Sequence, residues 1–97
     1  MMETASLALV ATKFIAYPNP FVTSTTVSFT LPYLDEQTTV EVFDVRGVKI
    51  QTIFKGIANA NQAYEIKFDG QNIAAGTYFF RLTTAKETKN FKAVMID

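Results

Sequence analysis

The 97-residue chain contains no cysteine, no histidine and no tryptophan. Without cysteine there is no disulfide, no thiolate nucleophile and no Cys zinc site, so folding does not depend on redox state. Without histidine there is no Ser-His-Asp triad and no side chain that titrates near neutrality at its ordinary pKa. Nine basic and nine acidic residues leave a formal net charge of zero. That balance argues against a nucleic-acid partner, which needs an excess of Lys and Arg. The chain also lacks any run of 18 apolar residues, so it offers no transmembrane span. The opening Met1 to Val10 is partly apolar but has no positive leader or cleavage signal, which argues against a signal peptide. The doubled methionine is read as the start of a cut-out piece, with residues 1–12 expected as linker remainder and 13–97 as one domain.

What the chain has in quantity is apolar residues, 48% of the total, arranged with a period of two. Thr25 to Pro32, TTVSFTLP, places Val27, Phe29 and Leu31 on one face and Thr26, Ser28 and Thr30 on the other. This is a half-buried strand closed by proline. In TTVEVFDV, Val40 and Val42 share one face while Phe43 and Val45 lie on the other. Arg46-Gly47 then reads as a hairpin turn, followed by a strand whose expected inward set is Val48, Ile50 and Phe54. Tyr64, Ile66 and Phe68 alternate with Glu65 and Lys67, and Tyr78, Phe80 and Leu82 with Phe79, Arg81 and Thr83. A first strand spans about Lys13 to Tyr17, and NFKAVMI closes the chain with two faces that alternation does not separate. About seven short strands with turn signals every 8–12 residues predict an all-β, immunoglobulin-like antiparallel β-sandwich.

Proline and glycine are scarce, three and four residues, so their positions are informative. Pro18 and Pro20 in IAYPNPF lack N–H groups and cannot both sit in a central ladder. The expectation is a stiff extended corner that separates a linker from a rigid body. Gly76 precedes Tyr78 at a strand start. Glycine supplies positive φ there, and the tyrosine can bury its ring while its hydroxyl bonds upstream backbone, as in a tyrosine corner.

Residues that could carry chemistry are sparse and dispersed. Asp35-Glu36 follows LPYL in what reads as a loop, where a solvated turn is favoured over a cation-ligand pair. Asp69 to Asn72, DGQN, is read as a turn with Gly70 at positive φ rather than as a calcium loop. Asp44 is expected to bond the Arg46-Gly47 turn backbone. No catalytic residue, metal or cofactor is expected, and the chain is read as a non-enzyme. Arg81, Lys86, Lys89 and Lys92 make the last two strands basic, relieved by Glu87. These charges serve either to block sheet-to-sheet association or as a stripe read by a partner. Phe43, Val45 and Phe79 either pack under loops or form a contact patch.

The order of YPNPF, TTVSFTLP, VEVFDVRGVKIQTI, FDGQNIAAGTYFFRL and the basic TKNFKAVMI resembles the C-terminal sorting domain of the type IX secretion system, type A, of Bacteroidota. The resemblance spans residues 14–97, departing only in its Met95-Ile96-Asp97 end, where a basic or amide terminus is more usual. It implies a transport signal. In that family the domain is fused to an upstream cargo already exported to the periplasm. The outer-membrane translocon recognises the folded sandwich, and a surface sortase commonly cuts the linker, leaving the cargo at the cell surface or released. Carried over, the recognition elements are Pro18, Asn19 and Pro20, then Gly76 and Tyr78, then the basic strands with Arg81, Lys89 and Lys92. The cut is expected within residues 1–13.

Two other readings compete. An immunoglobulin-like accessory or spacer module of the flagellar-hook-cap type shares YPNPF and the DG…G-Y order, and would mediate assembly without sorting. Carbohydrate binding by the sandwich would want an exposed aromatic platform. Trp is absent, Tyr17, Tyr64 and Tyr78 are expected to face inward, and Tyr33 is the remaining loop aromatic.

Overall fold

Strict alternation in Ser24–Thr30 buries Thr25, Val27 and Phe29 and leaves the residues between them half-exposed. This strand lies at the centre of one of two sheets in the computed structural model, which describes residues 11–97. Seven strands follow one another: β1 Lys13–Tyr17, β2 Ser24–Thr30, β3 Asp35–Phe43, β4 Lys49–Ala58, β5 Ala63–Asp69, β6 Gly76–Thr83 and β7 Thr88–Met95. One sheet has the order β1-β2-β5 and the other β4-β3-β6-β7, every pairing antiparallel. The expected β-sandwich is therefore present, with the expected seven strands. The immunoglobulin label is approximate, because the fourth strand joins the sheet of β3 and β6, whereas a constant-type domain carries it beside the fifth.

The core lies between the sheets. Val27, Phe29, Val40, Val42, Phe80 and Leu82 are fully buried, with Phe21, Phe68, Ala93 and Met95 around them. Edge-to-face pairs such as Phe29–Phe54 and Phe68–Phe80, centroids 5.0 and 5.3 Å apart, fill much of the space between the sheets. Two short bridges stitch the sheets where strands leave them: Phe21 to Met95 on one side and Leu31 to Ala60 on the other.

Three inward assignments fail. Val48 and Ile50 are 49% and 38% exposed: Val48 lies in the hairpin before β4 begins, and Ile50 is the extra residue skipped where the pairing steps from Val42/Gln51 to Phe43/Lys49 on this edge strand. A bulge leaves its extra residue without a partner across the ladder. Only Phe54 of that set packs on the core. Tyr17 likewise faces out, with its hydroxyl donating to Glu65 Oε2 at 2.8 Å. That carboxylate raises the Tyr17 pKa.

The loops differ from expectation in two places. Asp35 is the first residue of β3 and only 4% exposed, where a solvated turn was expected. Gly70 has no positive φ. Its role is close packing: a Cβ there would sit 2.5 Å from Met95 Sδ and 3.3 Å from the Thr23 carbonyl oxygen. The β3–β4 hairpin does follow the sequence. Gly47 takes φ +83°, and Asp44 Oδ1 accepts from the N–H groups of Arg46 and Val48 at 2.9 and 3.0 Å. The Val48 bond foremost, then the Arg46 side chain, holds the Asp44 pKa below the usual carboxylate value.

Candidate functional site

The proline corner does not mark the boundary between linker and body. Pro18, Asn19 and Pro20 lie after β1, inside the sandwich, in the connection to β2. Both X–Pro bonds are cis, and neither proline is in a strand. The Pro18 carbonyl accepts from the buried Thr25 hydroxyl at 2.7 Å.

Asn19 reaches the opposite sheet. Its Oδ1 accepts the Val94 N–H at 3.1 Å, and its Nδ2 donates to the Lys92 carbonyl at 3.0 Å. Two residues on, Phe21 N–H donates to the Val94 carbonyl at 2.9 Å and Ile96 N–H to the Phe21 carbonyl at 2.8 Å. β7 is the edge of the four-stranded sheet, and its outward backbone groups would otherwise be open to another chain. The corner therefore covers that edge from Lys92 to Ile96, with one side-chain amide acting in place of a strand peptide. The prolines, having no N–H to satisfy, suit a segment that approaches an edge without forming a ladder. Phe21 anchors it, 1% exposed and edge-on to Phe68 at 6.3 Å.

Gly76 and Tyr78 meet the same strand from its other side, paired with Met95 and Ala93. Gly76 takes φ +152°, a value that other residues rarely adopt. Tyr78 is 6% exposed, and its hydroxyl donates to the Ala74 carbonyl four residues upstream, the bond expected of a tyrosine corner. So Pro18, Asn19, Pro20, Gly76 and Tyr78, spread over sixty residues of sequence, converge on the C-terminal half of β7.

The basic residues do not form one stripe. Strand parity puts Arg81 and Lys92 on the outer face of the sheet, where Arg81 stands opposite Asn90 and Lys92 opposite Phe79. Lys89 stands opposite buried Leu82 and so belongs to the inward side, exposed only because β7 is an edge. Lys86 lies in the β6–β7 turn with its Nζ 4.6 Å from the Tyr33 ring centroid. Arg81 is in β6, an interior strand, so edge protection does not account for it. Val45 and Phe79 are not packed under loops, at 67% and 37% exposed, whereas Phe43 is half-buried with the Arg81 guanidinium 4.4 Å from its ring centroid.

Alternation could not reveal a polar cluster at the other end of the sandwich. The buried Asp35 carboxylate accepts from Thr38 Oγ1 at 2.6 Å and from the Ala85 N–H at 2.9 Å. Burial raises its pKa, but the bonds from Thr38, Ala85 and Gln37 outweigh burial and hold it below the usual value. Beside it Glu87 accepts from Tyr33 and Thr12 hydroxyls, and those bonds likewise overcome burial and lower its pKa. The cluster ties the β2–β3 connection, the β6–β7 turn and Thr12 together. Tyr33, engaged by Glu87, Thr84 and Lys86, is not a free stacking platform. Asp69 Oδ1 caps the Gln71 N–H at 2.9 Å, and no group of three or more acidic side chains able to hold a metal occurs among the described residues.

These features define a β-sandwich whose distinctive residues organise one edge strand and one sheet face. The chain matches the family model described as the secretion system C-terminal sorting domain over residues 15–97, and it belongs to that family. It is thus a sorting signal of the type IX secretion system, a non-catalytic class of module that directs export toward the cell surface or secretion through that machinery. The match decides for sorting over the spacer reading. Neither the curated proteins nor the solved structures yielded a match. No helix among the described residues is long and apolar enough to cross a membrane.

Proposed function

We propose that the folded sandwich accompanies an upstream cargo into the periplasm, is bound there by the outer-membrane translocon, and is then cut from the cargo by a surface sortase. The observation that supports this reading is the convergence on β7. The family-like residues Pro18, Asn19, Pro20, Gly76 and Tyr78 all shape one strand, and none is placed for catalysis. A signal read in the folded state needs a strand held in one position, and that is what these contacts provide. The domain occupies residues 13–97 and the linker residues 1–12, of which residues 1–10 lie outside the described structure. The cut falls before Lys13, since Lys13 is already paired with Thr30 in β1 and a protease needs an extended, unpaired strand.

Fusion of residues 11–97 to a periplasmic reporter tests the reading. The reporter should appear outside cells that have the type IX machinery and stay inside an isogenic strain without the translocon. Retention in both strains rejects it. Deleting β7 is a poor substitute for this test, because Ala93 and Met95 are buried and the deletion opens the core.

A further inference from the structure

An antiparallel sheet packed on one side presents a mainly polar face to solvent. The outer face of the four-stranded sheet breaks that pattern at the hairpin end of β3 and β4. Strand register sets Lys49, Phe43, Phe79 and Lys92 side by side across all four strands: two aromatic rings between two lysines. In the next row Arg81 donates from Nε to Asn90 Oδ1 at 3.1 Å and lies 4.4 Å from the Phe43 ring centroid. Phe43, Phe79, Arg81 and the exposed Val45, with Asp44 and Asn90 at the rim, line a shallow depression of about 290 Å³.

The charge of this face is net positive although the chain is neutral. Lys49, Lys55, Arg81 and Lys92 share it with three acids, two of them already paired: Lys49 approaches Glu41 to 3.4 Å, Arg46 holds Asp44 at the rim of the depression at 3.0 Å, and Glu36 lies beside Lys55. The outer face of the other sheet is balanced, with Lys13 and Lys67 against Glu65 and Asp69.

We propose that this face is where the domain docks on the secretion machinery, onto an acidic protein surface that inserts an apolar side chain into the depression between Phe43, Val45 and Phe79. The inference rests on the sorting reading and names the chemistry of its partner. An exposed aromatic, Phe79, beside a half-buried one and an arginine around a recess is the composition of an interface centre, and flanking lysines steer and orient an acidic partner. A second copy of the chain is the wrong occupant, since two such faces repel. A planar layer of anionic headgroups is wrong as well, because the apolar surface is recessed between lysines and only a protruding side chain reaches it.

The test uses the reporter fusion with three variants: Arg81→Glu/Lys92→Glu, Val45→Asp, and the control Lys13→Glu/Lys67→Glu on the opposite sheet. The first two should lower the secreted fraction at least about tenfold, the effect of losing roughly 1.4 kcal/mol of docking. The control should leave export unchanged, and thermal unfolding should show all three folded. Should Arg81→Glu/Lys92→Glu fail to fold, Val45→Asp decides alone, because its side chain is exposed and outside the core. Export of both face variants at the parent level, or equal loss in the control, overturns the proposal. So does retention of the parent domain on phosphatidylglycerol vesicles that Arg81→Glu/Lys92→Glu abolishes, or a dimer in sedimentation that the same variant dissociates. If the parent fusion itself is not exported, the sorting reading fails and this inference falls with it. Normal export of parent and variants alike removes only the docking face.

Discussion

The side-chain amide of Asn19 is paired with the backbone of β7 on both of its polar atoms, accepting from Val94 at 3.1 Å and donating to the Lys92 carbonyl at 3.0 Å. A residue at the far end of the chain thereby fixes the position of the closing strand. Asparagine alone among small side chains offers a donor and an acceptor with the geometry of a peptide group.

Asn19→Ala should destabilise the domain by about 0.5–1.5 kcal/mol and raise hydrogen exchange at the Val94 amide. Asn19→Asp keeps the acceptor for Val94, loses the donor and sets a carboxylate against the Lys92 carbonyl. It should also be less stable than the parent. An Asp variant as stable as the parent in denaturant would show that the bond to Lys92 contributes nothing.

Gly70 and Met95 form a second coupled pair. Gly70→Ala should cost about 1–3 kcal/mol, since the new Cβ meets Met95 Sδ at 2.5 Å and the Thr23 backbone leaves no room on the other side. Met95→Ala should cost about 2–5 kcal/mol by itself through a cavity. The double variant should be more stable than the sum of the two losses implies, because the small residue at 95 makes room for the one at 70. Additive losses in urea unfolding would reject the steric account.

Tyr78→Phe removes one hydroxyl and leaves the ring. The Ala74 carbonyl then loses its partner, and stability should fall by about 1 kcal/mol. Thermal unfolding should show a lower midpoint with unchanged far-UV circular dichroism, since the strand itself remains.

Asp35, Asp44 and Glu87 all have pKa values held below those of the unfolded chain. Groups of this kind contribute stability that is present above the unfolded pKa and lost as pH falls through the folded value. The unfolding midpoint should therefore be flat near neutrality and drop below about pH 4. Asp35→Asn should be less stable than the parent at pH 7 and approach it as the pH is lowered. A gap between the two that stays constant down to pH 2 would mean that the Asp35 charge does not matter to the fold.

Much of the fold was legible because alternation of apolar side chains is a local signal. Val27, Phe29, Val40, Val42, Phe80 and Leu82 are inward for the same reason that a pleated strand turns every second residue to one side. The Asp44 turn and the Tyr78 hydroxyl bond were also legible, since both join residues within four positions of each other. Ile50 was misread because it is the extra residue of a bulge against β3, which depends on the partner strand, and Val48 because it belongs to the hairpin and not to β4.

What the sequence by itself determined was seven strands, which faces of most of them are apolar, and membership of a family through the order of short motifs. The tertiary structure alone decided that Asn19 caps β7, that Asp35 is buried under the β6–β7 turn, and that Lys92 sides with Arg81 while Lys89 does not. Each of these joins residues at least fifty positions apart, or depends on which face of a paired strand a side chain occupies. A linear pattern carries the period of a strand. It does not carry the neighbour that strand will meet, because that neighbour is chosen only when two sheets close on a shared core.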